Sequence, residues 1–123
     1  MSNDLIILDG NSLTIEELTS IKQIDTKVEL SVASVKAINQ SRKLVEEIVS
    51  SGDIVYGINT GFGKLSSVMV SHDDTEKLQR NLILSHCCGV GEYLDISTTR
   101  LMMVLKLLSL GRGASGVRWT TLT

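Results

Sequence analysis

The sequence contains no proline, and only 3% of its 123 residues are aromatic. It also lacks a long apolar run. The longest one, "LMMVLKLLSL", is interrupted by Lys106 and Ser109 and is too short to span a bilayer. No cationic segment precedes the apolar residues of the N-terminus, so no export signal is predicted. These absences favour a cytoplasmic protein without a membrane partner, and they leave helical periodicity as the main structural signal.

An excess of charge of either sign is missing too. Twelve Lys and Arg stand against fourteen Asp and Glu, for a net charge of -2, which argues against a nucleic-acid partner. The two cysteines, Cys87 and Cys88, are adjacent, and this is a poor geometry for a disulfide. Because no further cysteine stands at ligand spacing and His72 and His86 are far apart, no metal site is predicted. We expect both cysteines to be reduced, to lie inside a helix and to serve packing.

Helix signals cover most of the chain. Thr14 and Glu17 form a capping box before "IEELTSIKQ". Ser31 begins a second helix, which Gly52 ends. Ser71 begins a third.

On the third helix, Leu78, Leu82 and His86 are four residues apart and share a face, so His86 lies on an apolar stripe. Ser97 is expected to begin a fourth helix, which is apolar around most of its circumference and therefore needs neighbours on several sides. Short strands are predicted at "LIIL", "KVEL" and "DIVY". The fold class is thus mainly α with a few short strands, and residues 1–123 are interpreted as a single partial domain.

A glycine-rich loop, "VYGINTGFGK", spans residues 55–64. A Walker-type loop needs four residues between its first glycine and Gly-Lys, followed by Ser or Thr. Here five residues separate Gly57 from Gly63, and Leu65 follows Lys64. The dinucleotide pattern fails as well, because position 66 is Ser66 instead of glycine. No nucleotide cofactor is therefore predicted, and the loop is either an ordinary tight turn or a scaffold that holds Tyr56 in a fixed, exposed position.

Three stretches carry a resemblance to a known family: "LDGNSLTIEEL", "VYGINTGFGKLSS" and "LQRNLILSHCCGVGEYL". They resemble the N-terminal part of the aromatic amino-acid ammonia-lyases, in particular the members that act on histidine. The family patterns Y-G-[IV]-[NT]-T-G-[FY]-G and L-Q-x-[NS]-L-x-x-S-H-x-x-G-V-G occur in the same order. The resemblance covers nearly the whole chain. It implies the helical N-terminal region of a larger α-helical subunit, with a glycine-rich catalytic loop, in a homotetramer.

The implied reaction removes ammonia from a small amino-acid substrate, and it gives urocanate when that substrate is histidine. Members of the family activate the amino group with methylidene-imidazolone (MIO), an electrophile made from an Ala-Ser-Gly tripeptide. Tyr56 matches the family tyrosine that serves as the base, or as part of the base, for the β-proton, and the resemblance implies Gly57, Thr60, Gly61 and Gly63 as its loop scaffold. A tyrosine in water is almost entirely protonated at neutral pH, so this role requires surroundings that stabilise the phenolate.

His86 matches the family residue that contacts the side chain of the substrate, and a histidine there favours histidine or tyrosine over phenylalanine. The residues alone would favour a different interpretation. A lone histidine on an apolar helix face is more often a core residue whose hydrogen bonds are satisfied within the protein.

The chain contains an Ala-Ser-Gly tripeptide at residues 114–116, but Val117 and Arg118 follow it, whereas Asp-Leu follows the MIO precursor in the family. The segment from Arg112 to Arg118 aligns better with a family helix end. We therefore expect the true precursor to lie outside this chain, which resembles a fragment, and we expect the isolated chain to be inactive. The alternatives are a tyrosine ammonia-lyase, an aminomutase, or a non-catalytic helical protein that associates with a full-length lyase.

Overall fold

A computed structural model describes residues 5–123 of the chain, apart from the side chains of residues 65, 72 and 73. The order of elements confirms a mainly helical fold: β1 (Leu5–Leu8), α1 (Ile15–Ile21), β2 (Lys27–Leu30), α2 (Val32–Ser51), α3 (His72–His86) and α4 (Ile96–Leu110). Short 3-10 turns lie between α2 and α3, at Gly63–Leu65, and after α4, at Trp119–Thr121. The chain divides into two compact units, of which the first comprises residues 5–43 and 93–123 and the second residues 44–92.

Three helices begin where the sequence predicts. Thr14 Oγ1 accepts a hydrogen bond from the Glu17 amide at 3.2 Å, and the Glu17 carboxylate accepts one from the Thr14 amide at 2.7 Å, so the capping box is complete. Ser31 Oγ accepts from the Ser34 amide at 3.1 Å at the start of α2, and Ser71 caps α3. The initial amides of these helices therefore have side-chain acceptors.

The first unit contains a two-stranded parallel sheet. β1 and β2 pair with Ile6 opposite Val28, and α1 connects them. These are the predicted strands "LIIL" and "KVEL". The third predicted strand, "DIVY", is wrong, because the Val55 amide donates to Asn59 Oδ1 at 2.9 Å instead of to a neighbouring strand.

Apolar side chains from the sheet, α1 and α4 form the core of the first unit: Ile6, Leu8, Ile21 and Val104. Arg100 of α4 connects this core to the segment between α1 and β2. Its Nε donates to the Ile21 carbonyl at 2.7 Å, and its Nη2 donates to the Thr26 carbonyl. A cation at the C-terminus of α1 also interacts favourably with the helix dipole.

The N-cap of α4 lies two residues before the predicted position, so the assignment of that role to Ser97 is wrong. Asp95 is the N-cap, and its carboxylate accepts hydrogen bonds from the Thr98 amide at 2.8 Å and from the Thr98 hydroxyl at 2.7 Å. A carboxylate interacts more strongly than a hydroxyl with the amides and the positive end of a helix. The bond from the Thr98 amide, followed by that from its hydroxyl, lowers the pKa of Asp95 below 3.8.

This lowered pKa predicts an acid-dependent loss of stability. As the pH falls, the unfolded chain takes up the proton first, so the stabilisation is complete above pH 3.8 and is lost as the pH falls through the lowered pKa. Asp95→Asn should therefore show a smaller decrease in the urea midpoint between about pH 5 and about pH 3 than the parent chain. Asp25→Asn, at an exposed carboxyl before β2, is the charge-matched control. Equal decreases in Asp95→Asn and the parent would contradict this assignment.

The second unit has a polar interior. Its buried side chains are Asn59, which is 4% exposed, and Thr60, which is 1% exposed, whereas all the buried hydrophobic residues in the described part of the chain belong to the first unit. The second unit leaves large apolar residues exposed, among them Ile54, Phe62, Ile83 and Val90. Among residues 5–123, no helix is both long enough and apolar enough to cross a membrane.

Candidate active site

The glycine-rich loop belongs to the second unit. The amides of Ile58 and Asn59 both donate to the Val55 carbonyl, at 3.1 and 3.3 Å, and form a turn around Tyr56 and Gly57. Gly57 adopts φ +80°, a backbone conformation that requires glycine. No heavy atom lies within 4 Å of an added Cβ, so the surrounding space would accommodate a side chain. Gly63, at φ +58°, begins the 3-10 turn that ends the loop.

The second half of the loop is fixed by the segment that precedes α3. Thr60 forms an isolated antiparallel bridge with Met69, and the Gly61 amide donates to the Val68 carbonyl at 3.1 Å. The Thr60 hydroxyl donates to the Gly61 carbonyl at 3.0 Å, and Gly61 is buried without a positive φ. The four scaffold residues therefore differ in role, since Gly57 and Gly63 allow the turns whereas Thr60 and Gly61 anchor the loop.

Tyr56 projects from this anchored loop. Its side chain is 64% exposed, and its ring meets that of Phe62 edge to face, with centroids 6.2 Å apart and planes at 73°. The phenol oxygen forms no hydrogen bond with the side chains that the structure describes. The loop therefore holds the backbone of Tyr56, and the Phe62 ring contacts its ring, while its phenol oxygen is accessible.

Asn59 is a residue of this loop that the sequence did not single out. Its Oδ1 accepts from the Val55 amide at 2.9 Å, and its Nδ2 donates to the Asp53 carbonyl at 2.7 Å. Asparagine commonly forms such local bonds in turns, and that preference is the signal that could have identified it. The side chain replaces the backbone partner that a strand would have supplied.

His86 is the last residue of α3, and its side chain is exposed, so it is not a core histidine. Its Nδ1 lies 2.8 Å from the Leu82 carbonyl oxygen, which can only accept a hydrogen bond. Nδ1 of the neutral ring therefore carries the hydrogen, and Nε2 has a lone pair available to a donor. Ser85 Oγ lies 3.0 Å from the same Nδ1.

Tyr56 and His86 both belong to the second unit, on different elements. Within residues 44–92, no hydrogen bond or ring contact is described between them. Cys87 and Cys88 follow His86 as exposed free thiols. The expectation that they pack inside a helix is wrong, because Cys87 has ψ 62° and ends α3.

The Ala-Ser-Gly segment at residues 114–116 belongs to the first unit and is held by α2. The Gly116 amide donates to Ser41 Oγ at 2.9 Å, and Arg42 Nη1 donates to the Gly116 carbonyl at 3.4 Å. Gly116 is buried at φ +66°. The amide and the carbonyl of this glycine thus both join the segment to α2 through hydrogen bonds.

Two further observations concern a groove and the possible metal ligands. A groove of about 720 Å³ in the first unit is lined mainly by apolar residues of α4 and the segments beside it, together with the charged residues Lys27, Glu29 and Arg100. Neither Tyr56 nor His86 contributes to it. Among the residues that the structure describes, no group of three or more His, Cys, Asp or Glu side chains could hold a metal ion.

Comparison with known proteins identifies the relatives of this chain. It is 54% identical over 117 residues to the histidine ammonia-lyase of Roseobacter denitrificans, an alignment that covers 95% of the chain and 23% of that protein. A crystal structure of histidine ammonia-lyase from Trypanosoma cruzi superposes with a TM-score of 0.86 at 38% identity, over 96% of this chain and 23% of that one.

A crystal structure of the ergothioneine-degrading enzyme ergothionase from Treponema denticola superposes with a TM-score of 0.87 at 28% identity, over 97% of this chain and 24% of that one. The chain therefore spans about a quarter of the length of the proteins it matches. The sequence profile of the family described as "Aromatic amino acid lyase" matches residues 13–123. The chain belongs to the aromatic amino acid lyase family.

Proposed function

We propose that this chain is the N-terminal part of a histidine ammonia-lyase, which eliminates ammonia from L-histidine to give urocanate. The observation that carries the proposal is the presentation of Tyr56. An exposed phenol stands on an anchored glycine loop, in a chain that is 54% identical to a histidine ammonia-lyase. Tyr56 acts as the base for the β-proton of the substrate. General-base catalysis requires such a group to lie within hydrogen-bond reach of the proton it removes.

His86 recognises the side chain of the substrate in this proposal. With Nδ1 donating to the Leu82 carbonyl, its Nε2 accepts a hydrogen bond from outside the protein. The imidazole N–H of histidine and the hydroxyl of tyrosine are donors of that kind, whereas the ring of phenylalanine has none. The geometry thus supports a substrate whose side chain ends in a hydrogen-bond donor.

The MIO group of the family would supply the electrophile that activates the amino group. Residues 114–116 do not fit the role of its precursor, because the glycine nitrogen would become part of the ring, and the Gly116 N–H here holds the segment on α2. The Gly116 amide and carbonyl are bonded to Ser41 and Arg42. We therefore infer that the precursor lies outside residues 1–123, and that the isolated chain is inactive with L-histidine.

We further infer that residues 1–123 are one partial domain of a homotetrameric cytoplasmic enzyme. Helix α2 contributes to both compact units, which supports a single partial domain. The exposed apolar residues of α4, among them Met102, Met103 and Leu105, support burial in a larger assembly. The two free thiols suit a reducing compartment.

The test uses a fusion enzyme, defined as residues 1–123 joined to the remaining C-terminal part of the Roseobacter denitrificans relative. We expect it to convert L-histidine to urocanate, and the absorbance of urocanate measures the reaction. His86→Phe should lower kcat/KM for L-histidine by about 10- to 100-fold, because the imidazole N–H of the substrate loses its acceptor. His86→Gln, which keeps an acceptor, should retain more activity.

The unmodified Roseobacter enzyme serves as the positive control for the assay. A folded fusion enzyme that forms no urocanate would reject the proposed function. Full activity of His86→Phe on L-histidine would reject the role of His86 alone. L-Tyrosine and L-phenylalanine assayed in parallel distinguish a tyrosine lyase from the proposed enzyme.

A further inference from the structure

Asn59 has a hydrogen-bond partner for each of its polar groups. Its side chain bonds to the Val55 amide at 2.9 Å and to the Asp53 carbonyl at 2.7 Å. Its backbone amide donates to the Val55 carbonyl at 3.3 Å, and its carbonyl accepts from the Val70 amide at 2.9 Å. The residue is 4% exposed, so water cannot readily replace these partners.

These bonds close the turn that contains Tyr56. Val55 immediately precedes Tyr56, and both backbone polar groups of Val55 are bonded to Asn59. The turn between them contains Gly57 at φ +80°. The Tyr56 side chain itself is 64% exposed, and its ring meets that of Phe62 edge to face. The direction of the phenol therefore depends on a backbone that Asn59 holds in place.

We propose that Asn59 is the positioning residue of Tyr56: its buried amide joins Asp53 to Val55 and so fixes the direction in which the phenol projects. Its catalytic consequence rests on the function proposed above. The role requires an acceptor for the Val55 amide and a donor for the Asp53 carbonyl, and the amide of Asn59 supplies them from two separate atoms, Oδ1 and Nδ2. Aspartate has the same shape but cannot donate to the Asp53 carbonyl, and it would place a buried negative charge against that oxygen.

The first test measures the conformation of the 123-residue chain by NMR. The chain has one phenylalanine and two tyrosines, so a Tyr56–Phe62 cross-peak can be assigned directly, and Tyr93, which is 99% exposed, is an internal reference. In Asn59→Asp we expect this cross-peak to weaken at least about threefold and the Val55 amide to exchange about 10- to 100-fold faster. Helix content and the Tyr93 signals should not change. Asn81→Asp, an exposed position on α3, is the matched control.

Asn59→Ser introduces no charge and provides a second variant if Asn59→Asp does not fold. It should weaken the same cross-peak. An unchanged cross-peak in the folded variants would overturn the proposal, whatever the activity of the fusion enzyme. This measurement therefore separates a failure of the positioning role from a failure of the proposed function.

The second test measures kinetics in the fusion enzyme. We expect Asn59→Asp to lower kcat for L-histidine by at least about tenfold while KM changes less than about twofold, because the base is misplaced and the binding side chain is not. In a Tyr56→Phe background the same substitution should have almost no further effect, since both act through one group. An equal fold-change in both backgrounds would show a general structural role and overturn the proposal.

Discussion

Tyr56→Phe is expected to lower urocanate formation by the fusion enzyme by about 100- to 10,000-fold, the usual contribution of a general base. The substitution removes only the phenol oxygen and keeps the ring, so the edge-to-face contact with Phe62 at 6.2 Å is retained. Because that oxygen is exposed and unbonded among the described side chains, the free energy of unfolding should change by less than about 0.5 kcal/mol. Loss of turnover should therefore occur without loss of stability.

The matched control is Tyr93→Phe, the same chemical change at a tyrosine that is 99% exposed. It should leave both turnover and the urea midpoint unchanged. A Tyr56→Phe enzyme with activity within about tenfold of the parent would contradict the role of Tyr56 as the base. The loop would then be an ordinary tight turn.

Gly113→Ala is expected to destabilise the 123-residue chain by about 2 to 5 kcal/mol, through two effects that add. An added Cβ would lie 2.5 Å from the Ala37 Cβ, 2.6 Å from its carbonyl carbon and 2.8 Å from its oxygen. Gly113 also has φ +70°, which side chains disfavour. Two of the three close atoms belong to the backbone of α2, so the contact cannot be relieved by a change of rotamer. Urea unfolding measures the effect.

Gly52→Ala isolates the conformational part of that loss. Gly52 has φ +77°, and no heavy atom lies within 4 Å of an added Cβ, so only the backbone penalty of about 1 to 2 kcal/mol applies. Ala37→Gly combined with Gly113→Ala should restore part of the stability, because it removes one of the three contacts. If Gly113→Ala were no more harmful than Gly52→Ala, the close approach to α2 would be refuted.

The sequence was informative at most positions where a local rule determines structure. Thr14, Ser31 and Ser71 begin helices because a hydroxyl accepts from an amide two or three residues ahead, and both residues of each bond stand close together in the sequence. The same rule failed at α4, where two candidate caps stand two residues apart and the carboxylate of Asp95 was preferred to Ser97. The end of α3 was missed because Cys87 leaves the helical conformation before the first glycine.

Features that depend on distant partners could not be predicted. The pairing of β1 with β2 is parallel, and nothing in "LIIL" or "KVEL" specifies that. The strand predicted at "DIVY" failed for a local reason that the strand pattern did not reveal: the side chain of Asn59 bonds to Val55 and Asp53 in place of a neighbouring strand. For the candidate site, the family pattern supplied Tyr56 and His86. The available Nε2 of His86 and the role of Asn59 became apparent only from the hydrogen bonds of the folded chain.

The polar interior of the second unit has an evolutionary consequence. Its glycine loop is anchored by backbone amides and carbonyls and by one buried asparagine, whereas the large apolar side chains of Ile54, Phe62 and Ile83 are exposed and form no core. Substitution of an exposed side chain away from such anchors usually changes stability by less than about 0.5 kcal/mol. The exposed side chains of this unit can therefore change by drift, without first acquiring compensating mutations elsewhere.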